Sequence, residues 1–365
     1  MKKYKETLTS DRIGGGGIQN NRELWIDELK VFAILAVIMI HVSTQYWTTI
    51  DVNNREWVII TFYNCMSRWA VPVLVMVTGT LLGSPKKKLT PRKLKEKLLH
   101  IICFFVFWSV VYAILGIVPD VVRGTRVQID EIVSRIIKGH FHLWYCYMLM
   151  GLYFISPFLQ KIIEDEELLK YFVFLSIVVT FGISQIVELQ DLSLLHTVFR
   201  EFEWHFTLGY ASYFMLGYFL ADCDISDRTQ KILYIAGLLC MTVTVLITVH
   251  GARIKGEAWG LIHYFQPNTM LISVSIFVFF KNRKKRKNTH LGKKYLQVIG
   301  WLSSNTLGVF AIHVLWRDVL AKVGITSLTG NPVIMVPLLT CIIAFFSYVS
   351  VWIIRKIPYL RWYIV

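Results

Sequence analysis

Hydrophobic residues along the chain gather into blocks that are apolar on every side, and the polar residues gather between these blocks. A bilayer core of ~30 Å is crossed by a helix of ~20 apolar residues, whereas a membrane β-strand needs ~10 residues of alternating polarity. The blocks have helical length and show no alternation. We therefore predict an all-α fold, a polytopic transmembrane helical bundle of about ten membrane-spanning helices. The predicted blocks are 26–47, 57–82, 98–118, 141–159, 169–187, 206–221, 232–250, 261–280, 298–320 and 331–357.

Two of these blocks leave the number of spans open. The block at 206–221 is short and the block at 298–320 contains polar residues, so nine or eleven spans also fit the pattern. No internal repeat is visible, which weakens the case for a transporter built from two related halves. Residues 1–25 are polar and show no pattern of a cleavable signal peptide. We predict a flexible cytoplasmic tail over 1–25 and one transmembrane domain over 26–365.

The composition agrees with a membrane protein whose chemistry takes place within the bundle. Hydrophobic residues make up 55% of the chain and charged residues 17%, whereas soluble domains carry roughly a quarter charged residues. The six cysteines form no CxxC pair, so we predict neither a metal site nor a disulfide. The longest polar connections, at about 119–140 and 188–205, are too short to form a separate enzyme domain.

The net charge of +15 does not indicate nucleic-acid binding, because the cations are concentrated between hydrophobic blocks. Two connections are strongly basic: "SPKKKLTPRKLKEK" follows the second block and "KNRKKRKNTHLGKK" follows the eighth. Both connections are even-numbered and therefore lie on the side of the N-terminus, which the positive-inside rule makes cytoplasmic. We predict that both termini are cytoplasmic and that the basic connections contact anionic membrane lipid.

The first block carries ionisable residues at a depth where they are rare. Lys30 and His41 are eleven residues apart, which is 1100° or about 20° beyond three turns, so they share one helix face about 16 Å apart. Asp27 lies near the same face and is a candidate ion-pair partner of Lys30. An ionisable residue inside the membrane indicates a functional site. The alternatives are that His41 only bonds a neighbouring helix and that Lys30 extends to the interface.

The second block contains "SRWAVPVLVMVTGTLL", in which Arg68 lies about midway across the membrane. An arginine at this depth costs ~2.5–3.5 kcal/mol on insertion scales and keeps its proton. Arg68 therefore needs an anion, either a carboxylate of the bundle or a phosphate-bearing ligand, unless its role is purely structural. Pro72 predicts a kink and Gly79 predicts close helix packing.

The fourth block opens with "HFHLWYCYMLMGLYFISP" and places His140 and His142 at the outer boundary. Trp144, Tyr145 and Tyr147 follow. Aromatic residues at this position are typical of an interfacial belt, but their faces and polar tips also suit a cavity that binds a sugar.

The ninth block contains "SSNTLGVFAIHVLWRDVL" and runs from the inner to the outer side in the predicted topology. Asn305 lies near its start, and His313 and Arg317 are one turn apart, with Asp318 next to Arg317. A structural role for His313 remains an alternative, and His263 is a weak further candidate.

Five stretches in this order resemble the acyltransferase-3 family of integral-membrane acyltransferases, and in particular the branch that O-acetylates cell-surface polysaccharides. They are "WIDELKVFAILAVIMIHV", "SRWAVPVLVMVTGTLL", "HLWYCYMLMGLYFISPFL", "YFMLGYFLA" and "SSNTLGVFAIHVLW". The family's first helix carries an arginine, ten residues and a histidine. Here Lys30 and His41 hold these positions, which keeps the charge but not the planar fork of arginine. The family's second-helix arginine corresponds to Arg68 and its late histidine to His313.

The resemblance implies an acyl-CoA co-substrate from the cytosol, with acetyl-CoA as the expected donor, and a hydroxyl acceptor on an extracytoplasmic glycan. It implies no permanently bound cofactor. Some relatives carry a fused esterase-like domain, and this chain shows none before Val365, so we expect it to complete the transfer alone or with a separate protein. The predicted catalytic residues are His41, Arg68 and His313, and the predicted substrate-binding residues are Asp27, Lys30, Trp144, Tyr147, Asn305 and Arg317.

The role of each catalytic residue stays open at this point. His41 is either a general base on the acceptor hydroxyl or the nucleophile that carries the acyl group. Arg68 or His313 is a candidate for stabilising the oxyanion. A transporter or flippase for a glycan-related intermediate and a non-catalytic membrane sensor are the alternative functions, and homo-oligomerisation is left open.

Overall fold

The computed structural model describes residues 23–84, 89–125, 128–183, 209–287, 292–358 and 360, and these residues contain helices and no strand. The all-α prediction is confirmed for this part of the chain. The predicted tail up to residue 22, the lysines at 86–88, Arg126, the connection at 188–205 and residues 288–291 lie outside it. The α-helices are α1 (Leu24–Ser43), α2 (Arg55–Ser67), α3 (Ala70–Gly83), α4 (Pro91–Val122), α5 (Ile129–Lys138), α6 (Trp144–Glu164), α7 (Glu166–Leu175), α8 (Gly209–Asp222), α9 (Asp227–Lys255), α10 (Pro267–Lys287), α11 (Lys293–Ser304), α12 (Thr306–Lys322) and α13 (Pro332–Ile354), with a 3₁₀ turn at Phe141–Leu143 and a π-helix at Ser176–Ile183.

Within the described residues, five helical segments are long and apolar enough to cross a membrane, and α11 and α12 add a sixth if this bent pair is one span. Each of the ten predicted blocks contains a helix, but the number of ten spans is not confirmed. The helices that do not meet the length or polarity needed to cross a membrane are short or charged. For example, α8 has 14 residues, and α1 carries Asp27, Glu28 and Lys30 in its first two turns. Most of the apolar surface of α9 is exposed, as expected of a helix that faces lipid in a multi-pass membrane protein.

The second predicted block forms two helices joined at Arg68 and Trp69. Pro72 is the third residue of α3, where its missing N–H removes no helical hydrogen bond. The backbone is therefore interrupted just before the proline rather than kinked at it. This interruption places Arg68 at the end of α2 inside the bundle, where a side chain can project from a helix terminus.

Helices α11 and α12 meet at Asn305 with a bend of 66°. The Asn305 amide donates to the Trp301 carbonyl at 2.6 Å, and its oxygen accepts from Arg355 at 2.6 Å. From the first helix, Lys30 Nζ donates to the Ser303 carbonyl at 2.8 Å, and the Ser303 hydroxyl donates to Asp27 at 2.6 Å. The bend is thus held by polar contacts from α1 and from the end of α13, which we call the bend clamp.

Helix α1 lies at the centre of the bundle and packs against α2, α3 and α10 to α13. Its core-facing residues Leu29, Ala33 and Ile38 are completely buried. Because α11, α12 and α13 all contact α1, residues far apart in the sequence are brought to the same helix. The packing of α12 against α1 places His313 close to His41.

Helices α3 and α8 approach each other through glycines. A Cβ on Gly79 would lie 1.9 Å from the Phe214 carbonyl oxygen, and a Cβ on Gly217 would lie 2.1 Å from that of Met76. The Thr80 hydroxyl donates to the Gly217 carbonyl at 3.1 Å across this contact. The prediction that Gly79 permits close packing is confirmed.

Candidate active site

Four histidines, His41, His140, His142 and His313, form one group near the C-terminal end of α1, which we call the histidine cluster. The His41 and His313 ring centroids are 5.0 Å apart, and the His142 ring lies 5.5 Å from His313 and 6.4 Å from His41. The His140 ring lies 5.0 Å from His142. Three elements distant in sequence therefore supply one site, and two of its members, His41 and His313, are predicted catalytic residues.

His41 stands in the last turn of α1 with both ring nitrogens available. The side chain is partly exposed, and neither nitrogen forms a hydrogen bond within the part of the chain that the structure describes. Neither nitrogen is among the fully buried, unpartnered atoms, so both keep some accessible surface. Its ring meets Phe141 edge-on at 5.4 Å. An imidazole that structural bonds leave free can take a proton or a covalent group.

His313 is completely buried on α12 and is bonded on one side only. Its Nδ1 lies 2.6 Å from the Phe310 carbonyl oxygen, which can only accept, so Nδ1 carries the hydrogen. In the neutral ring Nε2 then holds a lone pair, and this buried atom has no partner among the described residues. A buried polar atom without a partner is costly unless a ligand or water satisfies it. The facing His41 ring or a bound hydroxyl is a suitable donor.

His140 and His142 are held at the site by the start of the fourth predicted block. Helix α5 ends at Lys138, and Gly139 follows with a φ of 67°, a backbone conformation that favours glycine. A Cβ on Gly139 would lie 2.8 Å from the Phe105 ring, so the chain passes close to α4 before it reaches His140. Sequence analysis placed both histidines at the boundary and did not include them in the site, because their proximity depends on how α4 and α12 pack.

Arg68 lies beside the cluster without a carboxylate partner. Its Nε donates to Asn64 at 2.7 Å, its guanidinium lies next to the Tyr264 hydroxyl, and its charge is close enough to act on His41. No Asp or Glu of the described ranges forms an ion pair with it. The predicted anion for this arginine is therefore not supplied by the described part of the protein.

Arg317 lies one turn beyond His313, as predicted, and is only 14% exposed. Two of its nitrogens, Nε and Nη2, donate to one Asp318 oxygen at 2.8 and 2.6 Å. The guanidinium lies 5.3 Å from the centroid of the Phe141 ring. Phe141 thus contacts both Arg317 and His41. The remaining N–H groups of Arg317 have no acceptor among the described residues.

The two aromatic residues predicted to bind substrate have different surroundings. Trp144 stacks on Tyr264 at 5.8 Å and packs against Tyr210 at 5.7 Å, which brings it to the same region as Arg68. Tyr147 instead packs on Phe105 and donates to the carbonyl of Ile137, and it is 46% exposed. The structure brings Trp144 toward the site and does not bring Tyr147 into the histidine cluster.

Asp27, Lys30 and Asn305 lie in the bend clamp, at the opposite end of α1 from His41. At 1.5 Å per residue, Lys30 is about 16 Å from His41 along the helix axis. The structure thus separates these three predicted substrate-binding residues from the histidine cluster. No group of three or more His, Cys, Asp or Glu side chains in the described ranges is placed to hold a metal ion.

Comparison with known proteins adds one result. No curated protein and no solved structure matches the chain. A family model described as an acyltransferase domain does match, and it covers residues 23–356. Because this match extends from the start of α1 to the end of α13 and includes the whole histidine cluster, the chain belongs to the acyltransferase-3 family and is a membrane acyltransferase.

Proposed function

We propose that this protein transfers an acyl group, most simply acetyl, from cytosolic acyl-CoA to a hydroxyl of an extracytoplasmic glycan. The observation that carries the proposal is the pair of His41 and His313. Among the described residues, both ring nitrogens of His41 are without a hydrogen bond, and His313, whose ring lies 5.0 Å away, holds a buried Nε2 lone pair without a partner. Family membership supports the acyl transfer, and the expected topology supports a donor and an acceptor on opposite sides.

The donor enters from the end of the bundle that carries Lys30. This end includes the start of α1, and the strongly basic connections of the sequence lie on the same side in the predicted topology. Cationic side chains favour the phosphates of acyl-CoA by charge-assisted hydrogen bonds. The thioester then has to reach about 16 Å along α1 to meet His41.

In the proposed reaction His41 acts as the general base. Its free nitrogen removes the proton of the acceptor hydroxyl while the oxygen attacks the thioester carbonyl. Collapse of the tetrahedral intermediate breaks the carbon–sulfur bond, and the thiolate of CoA takes the proton from His41. An ester and free CoA are the products, so atoms and charge balance without any further reactant.

Arg68 is suited to stabilise the negative charge of the tetrahedral intermediate. It carries a permanent charge close to His41, and no carboxylate of the described ranges neutralises it. A fixed cation aimed at a developing oxyanion is one of the largest contributions in acyl-transfer catalysis. Trp144, which stacks on Tyr264 beside this arginine, offers an aromatic face for the pantetheine arm or for a sugar.

The test is transfer of radiolabel from acetyl-CoA to the glycan fraction of membranes that contain the protein. The proposal expects label in the glycan with the wild-type chain and none above background with His41→Ala. A membrane transporter would move glycan across the vesicle membrane without incorporating label, and that result would replace the proposed function. Mass spectrometry of the glycan then identifies the acyl group from the mass increment per sugar.

A matched control separates loss of chemistry from loss of the protein. His250 is exposed on α9, outside the histidine cluster, so His250→Ala removes an imidazole without touching the site. Both variants have to accumulate in the membrane at the wild-type level. Wild-type labelling by an accumulated His41→Ala protein would remove His41 from the mechanism.

A further inference from the structure

A chain of hydrogen bonds fixes the protonation of the two histidines that the proposed reaction does not use. His142 Nε2 lies 3.3 Å from the Ala311 carbonyl oxygen, and this oxygen can only accept. His142 Nε2 therefore carries the hydrogen, and in the neutral ring Nδ1 holds a lone pair. The Tyr112 hydroxyl donates to the same carbonyl at 2.6 Å, which anchors this end of the chain on α12.

The same logic sets the tautomer of His140. Its Nδ1 lies 2.9 Å from His142 Nδ1, and one of two contacting nitrogens has to donate. Since His142 Nδ1 is an acceptor, His140 Nδ1 carries the hydrogen and its Nε2 holds the lone pair. The Tyr112 ring stacks on His140 at 4.4 Å with an angle of 18°, so the orientation of the imidazole is fixed as well.

The lone pair on His140 Nε2 has no partner within the described part of the chain. His313 Nε2 is fully buried, whereas His140 Nε2 is not among the fully buried, unpartnered atoms and the His140 side chain is partly exposed. The chain of hydrogen bonds thus begins at the buried Ala311 carbonyl and ends at His140 Nε2, an accessible acceptor whose orientation is fixed. A preorganised acceptor of this kind suits a ligand that donates a hydrogen bond.

The groups around His140 complement a hydroxylated ligand. The Phe141 ring is 52% exposed and lies 4.6 Å from His140 and 5.4 Å from His41. The Arg317 guanidinium lies 5.3 Å from the centroid of the Phe141 ring and retains N–H donors that no described residue accepts. A sugar presents apolar ring faces together with hydroxyls that donate and accept, and this surface offers an aromatic face, a donor and an acceptor beside His41.

We propose that His140, Phe141 and Arg317 form the binding site for the hydroxylated acceptor, in which His140 Nε2 accepts a hydrogen bond from an acceptor hydroxyl next to the one that is acylated. His142 is a positioning residue that holds His140 in the required tautomer. The inference rests on the proposed function, because it assigns the acceptor side of the same site. It predicts that His140 determines acceptor affinity and the position of acylation, and not the binding of acyl-CoA.

Two substitutions at His140 separate acceptor binding from a structural role. The amide nitrogen of His140→Asn reaches the position of Nδ1 and keeps the bond to His142, but it removes the Nε2 acceptor. The amide oxygen of His140→Gln reaches the position of Nε2 and keeps the acceptor, but it loses the bond to His142. If His140 binds the acceptor, Gln retains more activity than Asn, and if its role is structural, the order is reversed.

The experiment measures transfer from radiolabelled acetyl-CoA to glycan purified from cells that lack the protein, titrated by hexose content. We expect His140→Asn to raise the KM for this glycan about 5- to 10-fold, the effect of one lost hydrogen bond. The KM for acetyl-CoA stays at the wild-type value, and the acetyl group is spread over more hydroxyls of the product. His140→Gln stays closer to wild type, and His250→Asn and His250→Gln change nothing.

The outcomes distinguish this inference from the function on which it rests. If the wild-type protein labels no glycan, the proposed function fails and the acceptor site fails with it. If the wild-type protein labels glycan and His140→Asn shows an unchanged KM for glycan, only the acceptor site is wrong. A rise in the KM for acetyl-CoA with both variants, or greater activity of Asn than of Gln, assigns His140 a structural role and also overturns the inference.

Discussion

His313 Nε2 is buried without a partner among the described residues, and the His41 ring, on a different helix, lies 5.0 Å from the His313 ring. The Phe310 carbonyl holds the His313 ring through Nδ1, so the lone pair is directed by the backbone of α12 itself. The Phe310 carbonyl thus fixes the tautomer in which His313 Nε2 can accept a hydrogen bond from the His41 ring or from a bound hydroxyl. It gives each of the two histidines a separately testable role.

His41→Gln is expected to lower acyl transfer by about 100- to 10,000-fold, the range for removal of a general acid–base group. Glutamine keeps the polarity and much of the volume of histidine, but its amide does not take up a proton. The measurement is the initial rate of radiolabel transfer from acetyl-CoA in membranes with matched protein content. A rate within a few-fold of wild type would contradict the assignment of His41 as the base.

His313→Asn tests whether the lone pair of His313 is used in the reaction. The asparagine amide nitrogen reaches the position of Nδ1 and keeps the bond to Phe310, while the Nε2 acceptor is lost. We expect transfer to fall by ~10-fold or more with little change in thermal stability, since the lost atom has no hydrogen-bond partner in the part of the chain that the structure describes. Unchanged transfer would show that His313 serves only to fill the core.

Much of this site was predictable from single helices, and the rest was not. Helical periodicity places Lys30 and His41 on one face and makes Arg317 a neighbour of His313, and both relations depend only on local geometry. The contact of His142 with Ala311 depends on the packing of the 3₁₀ turn against α12, which no spacing within one helix reveals.

The bend at Asn305 also could not be predicted from the pattern of hydrophobic residues. The ninth block was predicted as one span with polar residues in it, and hydropathy does not distinguish a straight helix from a broken one. The break becomes stable because Lys30, Asp27 and Arg355 supply partners for the freed backbone and side-chain groups. These partners come from distant parts of the sequence, so no spacing within one hydrophobic block places Lys30 in the bend clamp.

Lys30→Met is expected to destabilise the protein, because it removes the donor to the Ser303 carbonyl at the C-terminal end of α11. A hydrogen bond from a charged group contributes about 1.5–3 kcal/mol, and a cation at a helix C-terminus adds favourable electrostatics. Lys30→Arg keeps a charged donor and should stay close to wild type. Thermal unfolding of the purified protein in detergent measures the difference.

The same variants decide between the bend clamp and donor binding. If Lys30→Met unfolds at the wild-type temperature while the KM for acetyl-CoA rises by ~10-fold or more, Lys30 binds the donor and its bond to Ser303 is incidental. The reverse result, a lower unfolding temperature with an unchanged KM, supports the clamp.

Gly79→Ala is expected to prevent the close packing of α3 against α8. The new Cβ would lie 1.9 Å from the Phe214 carbonyl oxygen, and a backbone atom cannot move away as a side chain can. The cost should reach or exceed the upper end of the ~1–3 kcal/mol that overpacking usually costs. Membrane accumulation and unfolding temperature measure this cost. Gly151→Ala is the control, since a Cβ on Gly151 meets no described residue within 4 Å. Equal behaviour of the two variants would contradict the α3–α8 contact.

The bent pair of α11 and α12 is predicted to cross the membrane as one broken span. Lys294 near the start of α11 and Lys322 at the end of α12 are both exposed, so single cysteines at these positions can be labelled in a background without the six native cysteines. A membrane-impermeant maleimide added to intact cells should label Lys322→Cys and should label Lys294→Cys only after the cells are opened. Arg253→Cys and Arg92→Cys, both exposed, are the corresponding controls for the outer and inner sides. Labelling of both α11 and α12 positions from one side would make the pair a re-entrant loop and would place His313 on a helix that does not span the membrane.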